Sequence, residues 1–500
     1  MAYTFSNPVY GGQDPFVCKG DDGYYFVAEK AGSGSIEVFH SDRLTRRGVS
    51  HIVYRAEESG ESSADLWAPE LWHFNGKWYI YYAGASRAGQ EYWCTHRMFV
   101  LEADHPLGPY SSPVKLDLRT GGREQMAIDG SVLQLAENDF VIFYMGRDEE
   151  RELNCLYMAR MDSPTHVCGE PVLLSAPELP WESDINEGPF PIYRNGRVSL
   201  LYAANAAHLP EYCLGLQICD DPSRIMDPGA WHKLPEPLLT RSGNVIGPGH
   251  GCIVSSPDGT EDWLLYHSKF DHDYTLPGGW NRVANLLKVT WKDDVIPVFG
   301  EPHQLGAPVT PPSGEADLPE GNDIDLRLGE ECIGCFEAYT YSREDTVWTS
   351  DHCIRIDGSI WPDFGDKLIL REAFYGDCDI LLELHNISGS GKAGLLFGVD
   401  LPAAGAVHWR GFGVFGDRAG HVELVRSDGS RIETIKKKHL INEGEWKLEV
   451  RVSGCTAQIT ADGEILFTYR NTKPITGQTG LGTLGGDAEF RKLKISGVQR

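Results

Sequence analysis

Over the first 300 residues, apolar positions come in short aromatic-rich runs bounded by turn residues, without helical periodicity. The runs are Gly23-Tyr24-Tyr25-Phe26-Val27, Lys77-Trp78-Tyr79-Ile80-Tyr81-Tyr82, Phe140-Val141-Ile142-Phe143-Tyr144, Val198-Ser199-Leu200-Leu201-Tyr202 and Trp263-Leu264-Leu265-Tyr266-His267. They recur roughly 55–65 residues apart, a little longer than the blade repeats of common propellers. Aromatic and β-branched residues suit a pleated, half-buried surface, and turns such as Asn75-Gly76, Asn195-Gly196 and Asp258-Gly259 introduce several runs. Five repeats predict an all-β, five-bladed β-propeller over residues 1–305, with each run as the second strand of its blade.

Between about His303 and Glu330 the pattern lapses into Pro, Gly and acidic residues, as in Thr310-Pro311-Pro312-Ser313-Gly314-Glu315, which predicts a linker over 306–330. Beyond it, short alternating runs return. Lys367–Leu370, Asp379–Leu384, Gly394–Val399, Trp446–Val450 and Ala457–Thr460 are separated by Gly and Asp turns. That pattern predicts a β-sandwich accessory domain over 331–500 and resembles the lectin-like, concanavalin-like jelly rolls appended to several carbohydrate-active enzymes. Such a domain could close the active pocket, stabilise the propeller or, ranked below these, bind glycan itself.

Upstream of the five aromatic runs stand Gln13-Asp14-Pro15, Trp67-Ala68-Pro69-Glu70, Ile128-Asp129-Gly130, Asn186-Glu187-Gly188-Pro189 and Gly247-Pro248-Gly249-His250, in nearly constant phase. On a propeller this phase puts each motif on or just before the first strand of its blade, the strand that lines the central channel. Asp14, Asp129, Glu187 and His250 would then converge. Taken singly, these residues read as ordinary Asp-Pro and Asp-Gly turns. Their common phase favours a site. Converging carboxylates push one another's pKa values apart, as acid/base hydrolysis requires. An inverting glycosidase needs one protonated carboxyl and one ionised carboxylate about 6.5–9.5 Å apart.

Asn7-Pro8-Val9 before Asp14-Pro15, together with the four later motifs, resembles glycoside hydrolase family 43 over about residues 5–305. The stretch from Trp181 to His267, with Tyr212-Cys213-Leu214-Gly215, is most similar to its exo-acting α-L-arabinofuranosidases. The resemblance implies a five-bladed propeller and an inverting mechanism. It implies Asp14 as general base, Glu187 as general acid, and Asp129 as the residue that raises and orients Glu187. It also implies that His250 sits below the sugar and helps hold a calcium or other ion through water, and that Arg282 reaches into the pocket. Trp67 reads either as a core residue between blades or as a platform for a sugar ring; His250 has a bland alternative as a buried, hydrogen-bonded histidine. With no carboxylate-dense loop, any calcium would be water-ligated. No organic cofactor is expected.

The formal charge of −27 and the lack of any basic tract longer than Lys436-Lys437-Lys438 argue against nucleic acid or an anionic membrane surface as partner. An oligosaccharide substrate is compatible with that charge, and the oligomeric state is left open. The amino-terminal residues carry no basic and apolar leader pattern, so a cytoplasmic protein is expected. The 12 cysteines are dilute and read as reduced core thiols, and the lone Cys332-Ile333-Gly334-Cys335 lacks a second pair for zinc. The expected activity is inverting exo-hydrolysis of terminal α-L-arabinofuranosyl residues from arabinan- or arabinoxylan-derived oligosaccharides. The alternatives are a β-D-xylosidase, including a bifunctional one, and, lower, a non-catalytic sugar-binding propeller.

Overall fold

The computed structural model describes residues 4–30, 34–86, 95–269, 282–340, 346–359, 365–371, 373–388, 391–405 and 407–497. Two compact units emerge, Gly12–Gln304 and a second made of Met1–Gly11 with Leu305–Arg500. The first eleven residues thus group with the C-terminal unit rather than with the propeller. The physical reason is pairing across the chain: Phe5–Ser6 runs antiparallel to Pro308–Val309, and the Gly306 amide donates to the Asn7 carbonyl at 2.7 Å. The segment expected as linker also carries a strand, Ile324–Arg327, paired with the last strand of the chain.

Unit Gly12–Gln304 is the five-bladed propeller. Its inner strands are Phe16–Gly20, Ala64–Phe74, Ala127–Ala136, Asn186–Arg194 and Ile246–Ser255. Each contacts the next and the fifth contacts the first, so the ring is closed. Every aromatic run lies in the second strand of its blade, antiparallel to the inner strand. Apolar side chains from neighbouring blades interlock. Tyr81, Val100, Ile142 and Tyr144 form one fully buried cluster, and Phe143, Leu200 and Tyr202 belong to another. Burying each such side chain stabilises by roughly 1.5–3 kcal/mol.

Four of the five inner strands share a local distortion that the second strands lack, and in the first blade the corresponding place lies just ahead of Phe16–Gly20. Pairing register slips between Trp67 and Glu70, Ile128 and Ser131, Glu187 and Phe190, and Gly249 and Gly251. At the corresponding place each blade has one residue with a left-handed backbone: Asp14 (φ 45°), Ala68 (φ 43°), Asp129 (φ 56°), Gly188 (φ 54°) and His250 (φ 38°). A bulge of this kind turns a side chain out of the regular pleat and is held only where the surroundings over-determine it.

The second unit is a β-sandwich of two mainly antiparallel sheets, one built around Cys378–Ser388, Glu445–Ser453 and Asp487–Ser496, the other around Lys392–Leu401, Arg410–Asp417 and Gln478–Leu484. Leu382, Leu395, Val414, Leu448, Phe490 and Leu493 are fully buried between them. All cysteines among the described residues are free thiols. No helix among the described residues is long and apolar enough to cross a membrane.

Candidate active site

The inner-strand distortions bring Asp14, Asp129, Glu187 and His250 together from four blades, and Arg282 joins them from the segment before the last long strand of the propeller. Arg282 Nη1 donates to Asp14 Oδ1 at 2.8 Å, and its Nη2 donates to the Gln13 side-chain oxygen. His250 Nδ1 lies 3.2 Å from the same Asp14 Oδ1. Burial alone would raise the Asp14 carboxyl, but Arg282 and then His250 outweigh it and hold Asp14 well below the ordinary 3.8. Asp14 is therefore a carboxylate at neutral pH. Both cationic contacts fall on Oδ1, which leaves Oδ2 as the oxygen available to a water or substrate.

Glu187 is displaced the other way. Burial, reinforced by the nearby charge of Asp129, pushes its pKa up to about 7, against the opposing hydrogen bond from Tyr212. Tyr212 donates its hydroxyl to Glu187 Oε1 at 2.8 Å. Asp129 Oδ2 accepts the amide of Gly188 at 3.0 Å and so fixes the backbone directly after Glu187. Asp129 itself is raised, mainly by burial. Gly188 cannot be enlarged, since a Cβ there would stand 2.8 Å from the His250 ring. For His250, burial is outweighed by Asp14 and Asp129, and its pKa rises to about 9.

A buried pocket that holds one carboxylate ionised by fixed cations and a second carboxyl raised by burial and a third acid is a hydrolytic arrangement. A comparison decides the matter: residues 5–297 match the profile of glycosyl hydrolases family 43. The chain belongs to that family. It is 32% identical over 266 residues to an extracellular exo-α-(1→5)-L-arabinofuranosidase of Streptomyces chartreusis, covering 51% of this chain and 79% of that protein. Among solved structures, the α-L-arabinofuranosidase of Lactobacillus brevis superposes with a TM-score of 0.54 at 28% identity, over 60% of this chain and 97% of that one. The family 43 protein BlXynB of Bacillus licheniformis, at 18% identity and a TM-score of 0.52, spans 99% of both chains and shares the fold. This glycoside hydrolase acts on a carbohydrate substrate.

Trp67 lies in the inner strand of the second blade, Ala64–Phe74. It is half-buried, and its ring stacks on His96 with centroids 3.9 Å apart, beside the core between the second and third blades. Three further pocket residues were not singled out by the sequence pattern. His267 closes the fifth aromatic run; its Nδ1 accepts the Asp14 amide at 3.2 Å, and burial lowers its pKa to about 3, so the ring is neutral. Tyr212 is fully buried against it. Glu70, the last residue of the second-blade motif, accepts from Trp72 Nε1 at 2.8 Å and is driven by burial to a pKa of about 8, so it is uncharged at neutral pH. His267 and Glu70 had a legible signal in their phase, whereas Tyr212 stands just before the third strand of its blade, Cys213–Cys219, and was marked only as part of the resembling stretch Tyr212-Cys213-Leu214-Gly215.

The pocket's donors do not suit a directly held cation. No group of three or more His, Cys, Asp or Glu side chains placed to hold a metal occurs among the described residues. His250 turns Nδ1 to Asp14 Oδ1, at 3.2 Å.

Proposed function

We propose that this family 43 hydrolase is an inverting exo-α-L-arabinofuranosidase that removes terminal non-reducing arabinofuranosyl residues from arabinan- or arabinoxylan-derived oligosaccharides. The observation that carries the reading is the opposite displacement of Asp14, held ionised, and Glu187, raised to about 7, within one pocket. The arabinofuranosidase names of the Streptomyces and Lactobacillus proteins support the choice of sugar.

In this mechanism Asp14 Oδ2 takes a proton from a water as the water oxygen bonds to the anomeric carbon. The bond from that carbon to the glycosidic oxygen breaks, and Glu187 gives its proton to the departing oxygen. Asp129 keeps Glu187 protonated through its charge and fixes its position through the Gly188 amide. His250 and Arg282 keep Asp14 ionised and bound on the oxygen that does not face the water. After release, Asp14 loses a proton to solvent and Glu187 regains one.

Hydrolysis of 4-nitrophenyl α-L-arabinofuranoside beside 4-nitrophenyl β-D-xylopyranoside, with Asp14→Ala as the blank, tests the proposal. Arabinoside turnover that disappears in the variant is the expected result. Preferential xyloside turnover would overturn the sugar assignment in favour of a β-xylosidase, and activity that survives Asp14→Ala would overturn the base.

A further inference from the structure

Tyr212 and His267 form a stacked pair that touches both reacting residues, Asp14 and Glu187. Their rings are nearly parallel, 7° apart, with centroids separated by 5.3 Å. On one side the His267 ring accepts the Asp14 amide at 3.2 Å, and on the other the Tyr212 hydroxyl donates to Glu187 Oε1 at 2.8 Å. The pair has little room to move. Both side chains are fully buried, and a Cβ on Gly249 would stand 2.2 Å from the Tyr212 ring, so that glycine is the wall against which the ring lies. The Lys269 ammonium sits 5.7 Å from the Tyr212 ring centroid and donates to the Ala207 carbonyl at 2.6 Å.

We propose that Tyr212 is a positioning residue for proton donation: seated on His267, its hydroxyl occupies Glu187 Oε1 and thereby places the transferable proton on Oε2, while the stack sets the spacing between acid and base. This rests on the assignment of Glu187 as acid and Asp14 as base. Tyr212, raised well above 10 by burial, keeps its phenolic proton throughout the working range, and that proton is the one directed at Glu187 Oε1. A carboxylic acid bonded in this way at one oxygen carries its own hydrogen on the other. The spacing role follows from rigidity, because two buried aromatic rings in contact transmit position in a way that flexible side chains do not.

The test compares leaving groups. A 2,4-dinitrophenyl α-L-arabinofuranoside departs with almost no proton, whereas an arabino-oligosaccharide needs one. Tyr212→Phe keeps the ring on His267 and removes only the hydroxyl. It is expected to lower kcat on the oligosaccharide by about 10- to 100-fold, with at most a few-fold loss on the dinitrophenyl glycoside and little change in KM on either. Tyr212→Leu removes the stack as well and is expected to lose activity on both substrates. Thermal melts of both variants report whether the fold survives. Equal loss on the two substrates in Tyr212→Phe would overturn the positioning role, as would a rise in KM without a fall in kcat. A wild-type protein that hydrolyses neither arabinoside would instead overturn the proposed activity, so the two failures are distinct.

Discussion

The inner and second strands of each blade are hydrogen-bonded neighbours with opposite characters. In the third blade the second strand, Asp139–Asp148, pairs without a break against its outer neighbour from Phe140↔Met161 to Asp148↔Leu153, and Phe140 to Tyr144 are all buried. The inner strand beside it slips register at Ile128 to Ser131, puts Asp129 in a left-handed conformation and buries its carboxyl. The same contrast recurs in the fourth blade, where regular Leu200 and Tyr202 face the slipped Glu187 to Phe190 segment. Apolar packing makes the ring, and the stability it supplies sustains strain and charge at the channel. Regular and irregular strands therefore answer to different tests.

The sharpest separation comes from Glu187→Gln. Activity on natural glycosides is expected to fall by about 10²- to 10⁴-fold, while the melting temperature stays at or above that of the wild type, since a raised acid is replaced by a neutral amide. Near-wild-type turnover would remove Glu187 from its role. The converse is Leu200→Ala in the second strand: a loss of about 2–5 kcal/mol in a denaturant titration, with kcat of the folded fraction close to unchanged. A smaller effect is set by pH. Glu187 must be protonated to act, so kcat/KM is expected to hold below a pKa of about 7 and to fall as pH rises through it. A profile flat from pH 6 to 9 would contradict this. The smallest concerns Ala68, which has the left-handed backbone of its blade without a carboxyl to position. Ala68→Gly is expected to gain about 0.5–1 kcal/mol, the relief of strain exceeding the entropy glycine costs. A loss there would mean that the alanine methyl is packed.

Much of the pocket was legible because the propeller repeats. A motif in constant phase with an aromatic strand must occupy the same place in every blade, and Asp14, Asp129, Glu187 and His250 were found on that ground. Resemblance supplied Arg282, whose contact with Asp14 the structure supplies in turn. The resemblance marked the stretch that holds Tyr212 but not its role, because a residue just before a third strand has no phase to betray it and only three-dimensional packing carries its ring to His267. The left-handed backbone was most legible at Gly188, since an Asp or His favours positive φ only weakly and an Ala not at all. Grouping of the first residues with the C-terminal unit was likewise hidden. The pairing of Phe5 with Val309 is too distant along the chain for any local pattern to announce.

The central claim is that Asp14 activates water across the sugar from a protonated Glu187, and the stereochemistry of the first product tests it most directly. Proton NMR recorded during the first turnovers of 4-nitrophenyl α-L-arabinofuranoside should show β-L-arabinofuranose appearing before mutarotation yields the other forms. Initial release of the α anomer would mean a retained configuration and a covalent intermediate, and would contradict the assignment of Asp14 as a base acting on water.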